Sequence, residues 1–215
     1  MKTNAHITYK LKDGIVVPGS TTISGTIGWN KQVLVNWANR MGREGIDTTK
    51  YKDDKAEIGT LGHAFSIARL TGETVDTDDY SKNQIKSAEN SLASFDNWLN
   101  EHIVEPVLME TPIVSEIHRF GGTPDIYGKV DGVYEVIDIK TGSGIYPEHY
   151  IQTASYKQLL IESGNPVDRV RILNIPRTDN ECFDDKIVPH IDSYWSIFLH
   201  LLDIYYINKN LKGGA

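Results

Sequence analysis

The sequence predicts an α/β fold, a mixed β-sheet flanked by helices, and three observations lead there. Segments 58–70 and 82–103 carry apolar residues three and four apart (Ile58, Leu61, Phe65, Ala68; then Ile85, Ala88, Leu92, Phe95, Leu99, Ile103), the spacing that gathers them on one helix face. Segments 107–117, 124–130 and 133–140 alternate instead, as strands do. Asp131-Gly132, between the last two, is a strong hairpin signal.

The other elements follow in order. Residues 1–20 read as a short, partly extended arm ending at Pro18-Gly19-Ser20. Thr21 or Thr22 is expected to cap a helix over 29–42 in which Val33, Val35, Trp37 and Ala38 are partly buried. Residues 47–55 are polar and are expected to form a mobile loop that carries Lys50, Lys52 and Lys55. Thr71-Gly72 ends the helix at 58–70, and a helix over 148–163 ends at Ser163-Gly164. Arg169 to Ile175 reads as a strand, 184–189 as an edge strand, and 191–208 as a last helix. With no repeat, low-complexity tract or linker, the 215 residues are expected to form one domain. An arm and covering helix occupy 1–57, the core 58–176, and an edge strand and helix 177–215.

Composition removes several functional classes. The single cysteine, Cys182, excludes a disulfide and a cysteine-built zinc or iron–sulfur site within the chain. No apolar run approaches the roughly 18 residues of a membrane span, and MKTNAHITYKLKDG lacks the apolar core of a signal peptide. The expected compartment is the cytoplasm, of a bacterium or a phage-infected host. Acidic residues outnumber basic ones, 29 to 22, which argues against coating DNA by charge alone. It leaves room for clustered carboxylates that hold cations.

Chemistry concentrates in GGTPDIYGKVDGVYEVIDIKTG, residues 121–142. Asp138 and Lys140 are two apart on a strand and share a face, with Ile139 turned to the core. Across a hairpin turning at Asp131-Gly132, position 125 falls opposite 138. Two carboxylates and one ammonium then meet on one face, an arrangement that suits phosphodiester hydrolysis with Mg²⁺ or Mn²⁺. A D-x-K tripeptide alone is usually a solvent-facing ion pair, so the surroundings matter. Pro124 places Asp125 at a strand start or bulge, Gly121-Gly122 permits close backbone approach, and Thr141-Gly142-Ser143-Gly144 gives a flexible exit. Gln152 and Tyr156 are one turn apart on a helix, with His149 nearby. Gly59 and His63 are likewise one turn apart, and the glycine lets something pack close to the imidazole.

The series Gly59-xxx-His63, Gly122-Thr123-Pro124-Asp125, Asp138-Ile139-Lys140-Thr141-Gly142 and Gln152-xxx-Tyr156, in that order, resembles the RecB-like (Cas4-like) branch of the PD-(D/E)xK nucleases. Gly19-Ser20-Thr21-Thr22-Ile23 and Trp37 fit the same branch, and the resemblance covers roughly 18–160. It implies a restriction-endonuclease-like core and a metal-dependent DNA exonuclease that works from single-stranded ends, in recombination, repair or phage DNA processing. It further implies Asp125, Asp138, the Ile139 carbonyl and His63 as ligands of Mg²⁺ or Mn²⁺. Lys140 becomes the catalytic lysine, with Gln152 and Tyr156 lining the site against the DNA or positioning Lys140. Glu110 or Glu116 adds a further contact, with nothing in the sequence to separate them. Lys31, Arg40, Arg43, Lys50, Lys52 and Lys55 are candidate phosphate contacts. Asp138 stands where Glu is commoner in the superfamily. The cluster-binding cysteines of the Cas4 type are absent, as is any phosphate-binding motor loop, so a motor would come from a recombination or replication partner. The competing readings are an endonuclease of the same fold and a catalytically silent nucleic-acid-binding module.

Overall fold

A computed structural model describes residues 7–29 and 31–213, and the elements and contacts are those of the described residues. The arm folds into a small hairpin, β1 (Tyr9–Lys10) on β2 (Val16–Val17). Then come α1 (Ser20–Ser24), α2 (Lys31–Arg43), α3 (Thr48–Thr71) and α4 (Lys82–Glu101). The strands β3 (Val104–Met109), β4 (Ile113–Ser115), β5 (Phe120–Gly122), β6 (Ile126–Val130) and β7 (Val133–Lys140) follow, then α5 (Pro147–Glu162), β8 (Arg169–Asn174), β9 (Asp184–Ile187) and α6 (Ile191–Gly213). The main sheet runs β3-β6-β7-β8-β9; β7 and β8 are parallel and the other neighbours antiparallel. The expected mixed sheet between helices is therefore present. No helix among the described residues is long and apolar enough to cross a membrane.

Strand alternation divides the core in two. Val136 and Ile172 join Tyr127, Leu159, Leu160 and Phe198 beneath α5 and α6. Ile137, Ile139 and Leu173 join Ile67, Phe95 and Trp98 beneath α3 and α4. Both faces are covered, so β7 and β8 bury apolar residues on either side, interrupted by Glu135, Asp138 and Lys140 on β7 and by Arg169, Arg171 and Asn174 on β8. The β6–β7 turn is the one the sequence signals: Asp131 and Gly132 both have positive φ, 52° and 82°.

Four expectations need correction. Residues 47–55 are not a loop but the first turns of α3. Asp47 caps that helix by accepting from the amides of Thr49 and Lys50, so the expected boundary at 57/58 falls inside a helix. Thr21 and Thr22 lie within the separate helix α1 and do not cap α2. Val33 and Val35 are exposed, at 66% and 61%. Val33, Leu34 and Val35 are consecutive, so they point in three directions, and α2 packs only along one side, against α3. Finally, 107–117 is not one strand. Glu110 takes a left-handed φ of 42°, Pro112 removes a donor, and the chain leaves the sheet as β4 to pair with β5.

The sheet is tied by charge as well as by apolar packing. Glu135 on β7 is fully buried and ion-paired to Arg169 and Arg171 of β8. Arg171 also reaches Asp185 on β9, which accepts from the Trp98 indole of α4. Removing one member of such a set strands buried charge, at a cost of about 3–5 kcal/mol. Glu135→Ala is therefore expected to lower the urea midpoint by that much stability. A change under about 1 kcal/mol would show the network to be dispensable.

Candidate active site at the ends of the central strands

The β6–β7 register pairs Ile126 with Ile137; one step further, Asp125 stands across from Asp138. Asp125 lies just before β6, and its Oδ2 accepts from the Ile139 amide at 2.6 Å. On β7, Ile139 points into the core beneath α3 and α4, while Asp138 and Lys140 face α5. The Lys140 ammonium lies 2.8 Å from Asp138 Oδ2 and 3.0 Å from Oδ1, and donates to Gln152 Oε1 at 3.1 Å. Gln152 in turn donates to the Tyr156 hydroxyl at 2.6 Å and to Thr21 Oγ1 at 3.3 Å. A continuous chain thus links Tyr156, Gln152, Lys140 and Asp138.

The other helical layer supplies His63, whose Nδ1 is 3.6 Å from Asp125 Oδ1. Its approach depends on Gly59 and Gly62: a Cβ added at Gly59 would lie 2.7 Å from Thr141 Oγ1, and one at Gly62 would lie 3.3 Å from Thr141 Cγ2. The neighbour those glycines admit is thus Thr141, directly after Lys140. Gly122 plays the same part opposite, where a Cβ would lie 2.8 Å from Tyr156 and Leu159. The site therefore sits where the two layers meet, beyond the carboxyl ends of parallel β7 and β8, the usual place for ligands on such sheets.

Electrostatics reflect crowding of carboxylates. Burial raises Asp138 to about 6, against the pull of Lys140, with Asp125 adding to the rise. Burial opposes ionisation of Asp125 too, but His63, Lys140 and the Ile139 amide outweigh it and hold its carboxyl below the ordinary range. His63 is raised, because Asp125 overcomes the opposing effect of burial. Glu110 is raised by burial and by Asp125. His149 is pushed down to about 3 by burial and the nearby Lys140, so it is neutral at pH 7. It accepts from the Tyr146 amide through Nδ1, which leaves its remaining proton on Nε2.

A cavity of about 710 Å³ opens in front of these groups, with His63, Glu110, Ile139, Lys140, His149 and Arg177 in its wall. Asp125 and Asp138 lie behind that wall. Lys55 lines the cavity too, whereas Lys50, Lys52, Lys31, Arg40 and Arg43 do not. The structure separates the two glutamates: the Glu110 amide donates to the Asp125 carbonyl, while Glu116 accepts from Lys12 on the exposed arm. Arg177 escaped the sequence reading. It is held by Glu181, donates weakly to the Lys55 carbonyl, and packs against Gly142. As a loop residue after β8 it gives no periodic signal.

The donor set suits a hard divalent cation: carboxylates, a main-chain carbonyl and one imidazole. Asp138 Oδ2 is buried and accepts no directed hydrogen bond, although the Lys140 ammonium is beside it. Among the described residues no three acidic, histidine or cysteine side chains already surround one point as a metal cage. Here Lys140 neutralises Asp138, and His63 faces Asp125.

No protein-family model and no curated protein matches the sequence. The fold is similar to a solved structure from Eubacterium rectale described as a candidate exonuclease. The TM-score is 0.51 at 14% identity, covering 72% of this chain and 65% of that one, just under two thirds of its length. That likeness shows the fold. A looser one, with TM-score 0.35 at 19% identity over 70% of this chain and 82% of the other, is to an alkaline exonuclease from Laribacter hongkongensis; at that score it says nothing of activity.

The contact at Gly59 yields a double-mutant test. Alanine gains about 1 kcal/mol over glycine in a helix, whereas crowding Thr141 costs about 1–3 kcal/mol. Gly59→Ala is expected to be neutral or destabilising in the natural chain and stabilising in a Thr141→Ala background, read by thermal melting. Equal effects in both backgrounds would mean that the two residues do not touch.

Proposed function

We propose that this protein is a divalent-metal-dependent deoxyribonuclease that removes nucleotides from the ends of single-stranded DNA. The observation that carries the reading is the Asp125, Asp138 and Lys140 triplet, gathered at one strand end directly behind a cavity whose wall includes Lys140, His63 and Glu110. A fold shared with a candidate exonuclease is consistent with it. Asp125, Asp138, His63 and the Ile139 carbonyl would hold the cation, with Glu110 in the cavity wall next to Asp125. A bound Mg²⁺ or Mn²⁺ supplies Lewis-acid polarisation of the phosphodiester.

The chain's own residues supply the rest. Lys140 places a positive charge where negative charge builds on the phosphoryl oxygens as water attacks phosphorus in line. Gln152, fixed by Tyr156 and Thr21, holds the ammonium in place. His149 stays neutral, so its Nε2–H donates a hydrogen bond to a phosphate oxygen without competing for the cation. Lys55 and Arg177 provide positive charge at the rim. Asp138→Asn and Lys140→Ala are expected to fold and to lose cleavage by at least about a hundredfold. A folded variant with near-natural activity would remove that residue from the centre.

Substrate geometry supplies the second test. If a strand has to be threaded to the site, a duplex must first be unpaired at about 1.4 kcal/mol per step, and this chain carries no phosphate-binding motor loop to supply that work. Labelled linear single strands, with Mg²⁺ and with EDTA, are expected to be degraded far faster than blunt duplex. Closed single-stranded circles should resist. Rapid cutting of circles would mean an endonuclease, and absence of any cleavage with either metal would leave only a nucleic-acid-binding module.

A further inference from the structure

Helix α3 reaches well beyond the cavity. Tyr51, Lys55, Gly59 and His63 recur every fourth residue, forming one of the inclined rows that run along a helix surface. Lys55, Gly59 and His63 line the cavity, and Tyr51 lies one turn further out. Its ring is 40% exposed. Lys55 Nζ lies 5.5 Å from the ring centroid, and the Trp37 ring of α2 lies 6.0 Å away, tilted by 53°. The apolar and cationic groups therefore continue without a break from Trp37 to the cavity mouth.

Charge is sorted in the same direction. Asp54 and Glu57, from the same turns of α3, are turned away and accept from Gln84 of α4. Helix α2 contains Lys31, Arg40 and Arg43 and no acidic residue, in a chain whose net charge is −7. Two neighbouring rings and a cation leading to the cavity, on an otherwise acidic protein, fit a polyanion with exposed aromatic faces. A single-stranded nucleic acid has both, while a duplex hides its base faces.

We propose that Trp37, Tyr51 and Lys55 form an approach track for single-stranded nucleic acid, whose bases stack on the two rings while its phosphates pass Lys55 into the cavity. The proposal rests on the reading of that cavity as a nuclease site. From Tyr51 to His63 the helix rises about 18 Å at 1.5 Å per residue, so a strand held at Tyr51 must run free for several nucleotides. The track thus fixes how much strand must be free before its end reaches Lys140.

The test is binding, kept apart from cleavage. In the full chain carrying Lys140→Ala, with Mg²⁺, fluorescence anisotropy of a labelled 15-nucleotide oligothymidine gives the parent affinity. Tyr51→Leu keeps the apolar contact with Trp37 but removes the stacking face, and is expected to weaken binding about tenfold. Tyr51→Phe should bind within about twofold of the parent. Lys55→Gln should weaken binding and reduce the salt slope by about one. Blunt duplex binding should not change with Tyr51→Leu. If Tyr51→Leu fails to fold, Lys55→Gln and Tyr51→Phe carry the test. Unchanged affinity in folded Tyr51→Leu, or an unchanged salt slope in Lys55→Gln, would overturn the track and leave the nuclease reading standing. Loss of binding in Val35→Ser, a neutral change at an exposed position two residues from Trp37 and so on the far side of α2, would move the contact off the track and overturn it. A parent that binds no oligonucleotide would overturn both.

Discussion

The crowding of two carboxylates at one strand end, one buried and one half-buried, governs the rest of the site. Asp138 is 1% exposed and Asp125 stands across the hairpin from it. Two such groups cannot both be ionised at low cost away from water. Around them lie an ammonium, an imidazole and a main-chain amide. Each comes from a different place: Lys140 from the same strand, His63 from α3, and the amide from Ile139. A strand end that only needed stability would carry apolar residues there, as β7 does along most of its length.

Keeping those groups together demands that two helical layers come unusually close. Thr141 would collide with α3 but for Gly59 and Gly62, and α5 would collide with β5 but for Gly122. The same proximity lets Gln152 and Tyr156 brace Lys140 from one layer while His63 faces Asp125 from the other. Asn174 at the end of β8 donates to the carbonyls of Gly142 and Cys182, so the exit after Lys140 is itself pinned. The Glu135 network lies further along the same sheet and secures β7, β8 and β9 as one platform.

Much of this was legible in the residues, for identifiable reasons. The hairpin was readable because Asp131-Gly132 suits a turn with two positive φ angles and because strand period is two. That period also put Asp138 and Lys140 on one face and set 125 across from 138. What escaped depends on tertiary context. Residues 47–55 look like a loop because they are polar, yet a cap at Asp47 and burial further along make them helical. Choosing between Glu110 and Glu116 required the turn at Glu110, which nothing nearby in sequence announces. Arg177 is set by Glu181 and by contact with Gly142, contacts with no periodic signature. Of the α2 residues expected to be partly buried, Trp37 and Ala38 are, while Val33 and Val35 are exposed; two residues apart on a helix, those valines point in nearly opposite directions.

The central claim is that Asp125, Asp138 and His63 together hold a divalent cation. Calorimetric titration of Mn²⁺ into the natural chain and into Asp138→Asn, which keeps the side-chain volume, tests it directly. Saturable binding in the natural chain that is lost or greatly weakened in Asp138→Asn is the expected result. The same isotherm in both proteins, or no saturable binding in the natural chain, would contradict it.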